Sequence, residues 1–168
     1  MLADYIQRKA RNSRFFLFLL NWQLYRLVPF NAPHGFKIYR MGEDEVTTLI
    51  PFKKVNLNHV RSLHACAMAT ASEFTTGLAL LQKLNGKKYR IILKELRMEY
   101  HFQGKTEAFG TFKVTDEWLA QYVLNPLQSS DSVVVPCTVF LHDVNGNKLS
   151  TGTVHWQIKP WSKVRTKI

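Results

Sequence analysis

At 168 residues with 46% hydrophobic side chains, the chain has one domain's length and too much apolar surface to be disordered. Its formal charge of +11 suits a polyanionic partner, whether nucleic acid, an anionic membrane or a phosphorylated cofactor, without choosing among them. Cys66 and Cys137 are far apart and lack a second Cys or a His at metal-ligand spacing, so we expect two reduced, buried cysteines, no metal centre and a reducing, cytoplasmic compartment.

Residues 1–28 join a basic lead (Arg8, Lys9, Arg11, Arg14) to the runs FFLFLL and NWQLYRLV. No small-residue cleavage site follows, so no signal peptide is expected, and the run of about 20 apolar residues that would span a bilayer is missing. Phe16, Leu19, Leu20, Gln23, Leu24 and Leu27 fall at helical spacing. They predict one amphipathic helix within residues 1–30, docked on its own domain or lying on a membrane surface. Val28-Pro29 and Ala32-Pro33-His34-Gly35 end it.

FKIYRM and VTTLIPF then read as short strands joined through Gly42-Glu43-Asp44. After Leu63 one long helix is predicted, thin along much of its surface through Ala65, Ala67, Ala69, Ala71 and Gly77, and stopped at Asn85-Gly86. Tyr89, Ile91 and Leu93 share one parity and Leu96, Met98, Tyr100 and Phe102 the other, which predicts a β-bulge near Lys94-Glu95. A strand through Phe112 and Val114 follows, then a short helix, EWLAQYVL, capped by Thr115-Asp116 and stopped by Asn125-Pro126. The runs VVVPCTVFLHD and KLSTGTVHWQIKP close the fold as a hairpin about Asn145-Gly146. Consecutive strands joined by short turns predict an α+β domain, an antiparallel curved sheet of about six strands wrapped around one long central helix. Its expected limits are 31–161, with a basic tail at 162–168.

The site-like residues cluster on that helix. Asn58, His59 and His64 precede it, and Glu73 is the single carboxylate in its uncharged middle. Free backbone N–H groups at the helix head, near His64 and Ala65, can polarise a carbonyl oxygen. Glu73, desolvated among apolar neighbours, would act as general base or nucleophile, and Asn58 would hold water or the carbonyl. Thr76 is placed to orient a water. Each has a plainer reading: helix-entrance caps for the two histidines, an Asx turn for Asn58, a backbone-bonded hydroxyl for Thr76. Nine residues separate His64 from Glu73, roughly 13 Å along a helix, so cooperation requires a second copy of the chain.

Asn58-His59, then His64-Ala65, Ala67, Ala71, Glu73 and Gly77, flanked by two strands before and four after, resemble the hot-dog fold. In particular they resemble the thioesterases related to the C-terminal domain of bacterial acetyltransferase-thioesterase fusions. Arg61-Ser62 stand where that family usually has Gly-Thr, and Ala65-Cys66 where it often has Gly-Gly. The resemblance implies hydrolysis of an acyl-CoA or acyl-carrier thioester in a homodimer or tetramer. Coenzyme A would enter as part of the substrate, with no other cofactor. Its phosphates need Lys or Arg near the site mouth, and Arg61, Lys83, Lys87, Lys88 and Arg90 lie close in sequence to the helix ends, with none of them singled out against a solvated basic rim. Two alternatives remain open: a hydratase or dehydratase pairing His59 with Glu73, and a non-catalytic acyl-binding or membrane-associated module. Nucleic acid is not expected, because no recognised motif organises the basic and aromatic residues.

Overall fold

The computed structural model describes residues 2–165. Period-two burial dictates its centre: nearly every second residue is buried along β5 (Val133–Asp143) and β6 (Lys148–Pro160), which pair antiparallel around Asn145-Gly146. Gly146 there has φ 82°, which few residues other than glycine adopt cheaply. With β1 (Lys37–Met41), β2 (Glu45–Ile50), β3 (Tyr89–Tyr100) and β4 (Ala108–Lys113), they form one antiparallel sheet. Its order is β1-β2-β4-β5-β6-β3, leaving β1 and β3 as edges. The β3·β6 register shifts between Leu93 and Glu95, the bulge expected from the change of parity.

Three short helices precede β1: α1 (Leu2–Ala10), α2 (Arg14–Leu27) and α3 (Asn31–His34). The long helix, α4 (Ala65–Lys83), follows β2 and packs against β2, β3, β4, β5 and β6. Its small residues allow this. A Cβ on Gly152 of β6 would stand 2.6 Å from Ser72 Oγ, so helix and sheet meet where one of them has no side chain. Ser72, Thr75 and Thr76 are fully buried on α4, and each hydroxyl donates to the carbonyl four residues back. Val46, Leu80, Val135, Val154 and Ile158 fill the core at one end, and Phe36, Ile50, Leu63, Leu141 and Leu149 fill it at the other. Each such burial contributes about 1.5–3 kcal/mol before entropy is counted.

Three local expectations change. The N-terminal segment is two helices, because Asn12 and Ser13 favour turn and cap geometry over helix interior, and Ser13 is extended at φ −141°, ψ 121°. The fold-back lets the ring of Tyr5 meet Phe16 edge-on at 5.8 Å. Leu27, expected on the buried stripe, is 69% exposed. Pro126 does not stop the helical stretch that begins at α5 (Asp116–Leu119): a π-helical turn over Ala120–Leu124 leads into α6 (Pro126–Ser129). At a first helical position the missing N–H of proline costs nothing.

The α2 helix seals the β1 edge. Asn21 Nδ2 donates to the carbonyl of Ile38 at 2.9 Å, and the N–H of Ile38 donates to Asn21 Oδ1 at 2.7 Å. One carboxamide thus satisfies a backbone pair that a neighbouring strand would otherwise take. At the C-terminus Trp161–Lys163 forms a 3-10 turn, whereas residues 166–168 of the expected basic tail lie outside the described residues.

Candidate functional site

The entrance to α4 is built from local hydrogen bonds. Asn58 Oδ1 accepts from the N–H groups of Val60 and Ser62 at 3.1 and 3.0 Å, and its Nδ2 donates to Ser62 Oγ. This is an Asx turn, and it occupies the carboxamide expected to hold water or substrate. His64 caps the helix: its Nδ1 accepts from the N–H of Cys66 at 3.0 Å. The N–H of His64 is itself taken by the carbonyl of Asn56 at 2.8 Å, so it is not a free oxyanion donor. The Ala65 N–H has no protein acceptor among the described residues, and no acidic residue sits in the first turn to oppose the helix dipole.

Asn56, unremarked in the sequence, organises this entrance. It is fully buried; His34 Nδ1 donates to its Oδ1 at 2.9 Å, and its Nδ2 donates to the carbonyls of His34 and Pro51. With its own carbonyl on His64, it ties α3, the end of β2 and the head of α4 together.

Glu73 lies half-buried midway along α4, with no hydrogen bond or ion pair to its carboxylate among the described residues. Burial raises its pKa above the ordinary glutamate value. It lines a cleft of about 500 Å³ whose walls include Leu24, Val28, Phe74, Gly77, Tyr89, Arg90 and Trp156. A second cleft of about 350 Å³ continues from Glu73 past Thr70, Ala69 and Cys66 to Asn31, Leu93 and Leu96. Cys66, Thr70, Glu73 and Gly77 recur at helical spacing, so one face of α4 floors a groove running from the helix head to its middle. Val28 and Phe30 border it on one side and β3 on the other.

The other expected residues lie elsewhere. Ala65 and Asn58 line a separate cleft of about 280 Å³ with Tyr100, whose hydroxyl donates to the Ala65 carbonyl at 3.2 Å. His59 and Arg61 are exposed in the turn before the helix, and neither lines these clefts. Thr76 is fully buried: its hydroxyl donates to the Ser72 carbonyl and accepts from Trp156 Nε1 at 2.9 Å, so it is the backbone-bonded hydroxyl of the plainer reading and neither orients a water nor reaches substrate. Cys66 is exposed, against expectation; Cys137 is buried, and burial pushes its thiol up to about 12. Of the basic residues at the helix ends, Lys83 is committed to Asp44 at 2.6 Å and Asp116 at 2.9 Å, whereas Arg90 lines the Glu73 cleft. Within one chain, then, the helix-head N–H of Ala65 and the Glu73 carboxylate belong to different clefts.

A six-stranded antiparallel sheet holding one long helix, with a carboxylate facing a groove along that helix, defines a hot-dog domain. The chain belongs to the family described as a domain of unknown function, DUF4442, whose model matches residues 18–158. Solved structures share this fold. A Pseudomonas aeruginosa protein of unknown function, described as a probable thioesterase, superposes with TM-score 0.77 at 18% identity over 84% of this chain and 94% of its own. A thioesterase of Haemophilus influenzae superposes with TM-score 0.66 at 12% identity over 90% and 95% of the two chains. One from Staphylococcus aureus gives TM-score 0.63 at 12% identity over 79% and 100%. No curated protein matches the chain.

Proposed function

We propose that this protein hydrolyses an acyl thioester of coenzyme A or an acyl carrier. The observation that carries the reading is Glu73: a carboxylate without a protein partner among the described residues, raised by burial, and facing an apolar cleft of about 500 Å³. A thiolate leaves readily, so the reaction needs only an activated water, or the carboxylate itself as nucleophile, and a donor for the developing oxyanion. The Ala65 N–H at the positive end of α4 is that donor. Because it lies roughly 12 Å along the helix from Glu73, the complete site combines Glu73 of one copy with the helix head of a second. Pairing through the open edge of β3, which borders both clefts, would bring them together. Arg90 beside the larger cleft suits the phosphates of coenzyme A.

The structural relatives named as thioesterases support this reading through their shared fold. The test is release of free thiol from acyl-CoA substrates of graded chain length by wild type and by Glu73→Ala. Turnover lost in the variant is expected. Equal turnover in both, or none in either on CoA and carrier thioesters, would refute it.

A further inference from the structure

The α2 helix is apolar on two sides. Leu17, Leu20 and Leu24 pack on the core, but Phe15 and Phe18 are each 65% exposed and Trp22 is 49% exposed. At helical spacing these three rings lie within an arc of about 60°, one continuous aromatic strip. Phe30, in the turn after the helix, is 63% exposed as well. A bare apolar strip of this kind marks a contact surface.

Its charge says what covers it. Every charged residue between Tyr5 and Gly42 is Lys or Arg. The Arg26 guanidinium lies 3.8 Å from the centre of the Trp22 ring, and Arg14, Lys37 and Arg40 border a groove of about 730 Å³ between α2 and β1. A second copy presenting the same face would bring like charges together. Cations beside aromatic rings instead match an anionic bilayer surface, where phosphates take the charges and rings settle at the headgroup level.

We propose that this α2 face docks on an anionic phospholipid membrane, with Phe15, Phe18 and Trp22 entering the headgroup boundary and Arg14 and Arg26 meeting lipid phosphates. No helix among the described residues is long and apolar enough to cross a membrane, so the contact is a surface one. The same helix supplies Leu24 to the Glu73 cleft from its other side. The docking rests on the helix face alone and holds whether or not Glu73 hydrolyses thioesters.

The test is co-sedimentation of the full chain with phosphatidylcholine vesicles, with and without phosphatidylglycerol, at about 0.1 M salt and above. Binding is expected only with the anionic lipid, and weaker at high salt. Two double variants, Phe18→Ser with Trp22→Ser and Arg14→Gln with Arg26→Gln, should each lower partitioning about tenfold or more. All four side chains are partly or largely exposed, so the melting temperature should hold and loss of fold be distinguishable. Removing two charges elsewhere, Lys105→Gln with Lys148→Gln, should change partitioning little. The proposal fails if the chain ignores anionic vesicles, or if that control pair costs as much, meaning net charge alone acts. It fails equally if the aromatic variant halves the mass in sedimentation, meaning a second copy covers the strip.

Discussion

Trp156 of β6 donates its indole N–H to the Thr76 hydroxyl at 2.9 Å, while the edge of the same ring lies 2.9 Å from where a Cβ on Gly77 would stand. One indole is therefore fixed by a polar bond to one residue of α4 and by the missing side chain of the next. Gly77→Ala gains about 1 kcal/mol of helix propensity, yet it must displace a buried ring, and overpacking costs about 1–3 kcal/mol. Thr76→Val keeps the shape and leaves the indole N–H unpaired, at about 1–2 kcal/mol. Both should lower the urea midpoint with an unchanged slope. A Gly77→Ala variant more stable than wild type would show that the ring gives way freely.

That pair also shows where sequence reading stops. Alternating burial, turn chemistry and the parity change at Lys94 made the sheet, its bulge and the central helix legible, because each is written in local periodicity. Glu73 stood out as a lone charge among small residues. Asn56 did not, and of Thr76 only the bond to its own helix backbone was foreseeable, because their other partners lie 22 and 80 residues away. Tyr100 shares the parity of Leu96 and Met98, but that it reaches Ala65 is visible only in the fold.

Glu73 should reveal itself in pH dependence. Its folded pKa lies above the usual glutamate value, so the native state keeps a proton over a range where the unfolded chain has lost it. Stability then falls as pH rises through that range. Glu73→Gln should therefore melt higher than wild type at neutral pH and equal to it in acid below the ordinary glutamate pKa, while thiol release falls by about 10²–10⁴-fold. In wild type the acid limb of kcat/KM should lie above the ordinary glutamate range. Melting curves that coincide at both pH values would mean the carboxylate carries no burial cost.

Arg61 is the one non-glycine with positive φ among the described residues, at 54°. An L side chain there costs roughly 1 kcal/mol, whereas glycine adopts the conformation freely. Arg61→Gly should thus stabilise by about 0.5–1 kcal/mol, seen as a rise of a few degrees in Tm. Arg61→Ala keeps the strain and should bring no such gain. If Ala and Gly behave alike, the turn relaxes at no cost.

The composite site makes the sharpest demand. Ala65 is the first residue of α4, following His64 at φ −68° and ψ 142°, an extended conformation that a succeeding proline accepts. Ala65→Pro should therefore remove the helix-head N–H while leaving the helix intact, and hydrolysis should fall as for the lost oxyanion donor, about 10²–10³-fold. Glu73→Gln removes the other half. Each variant alone is expected to be nearly inactive. Co-expressed in equal amounts, half of the dimers hold one chain of each kind. In these one of the two sites is whole, combining Glu73 of the Ala65→Pro chain with the helix head of the Glu73→Gln chain. Thiol release should then recover to about a quarter of wild type. Leu93→Arg, a charge placed on β3 beside the groove, should abolish that recovery and yield single chains in sedimentation. No recovery in the unmodified mixture, from chains that demonstrably exchange, would mean that each subunit works with its own residues.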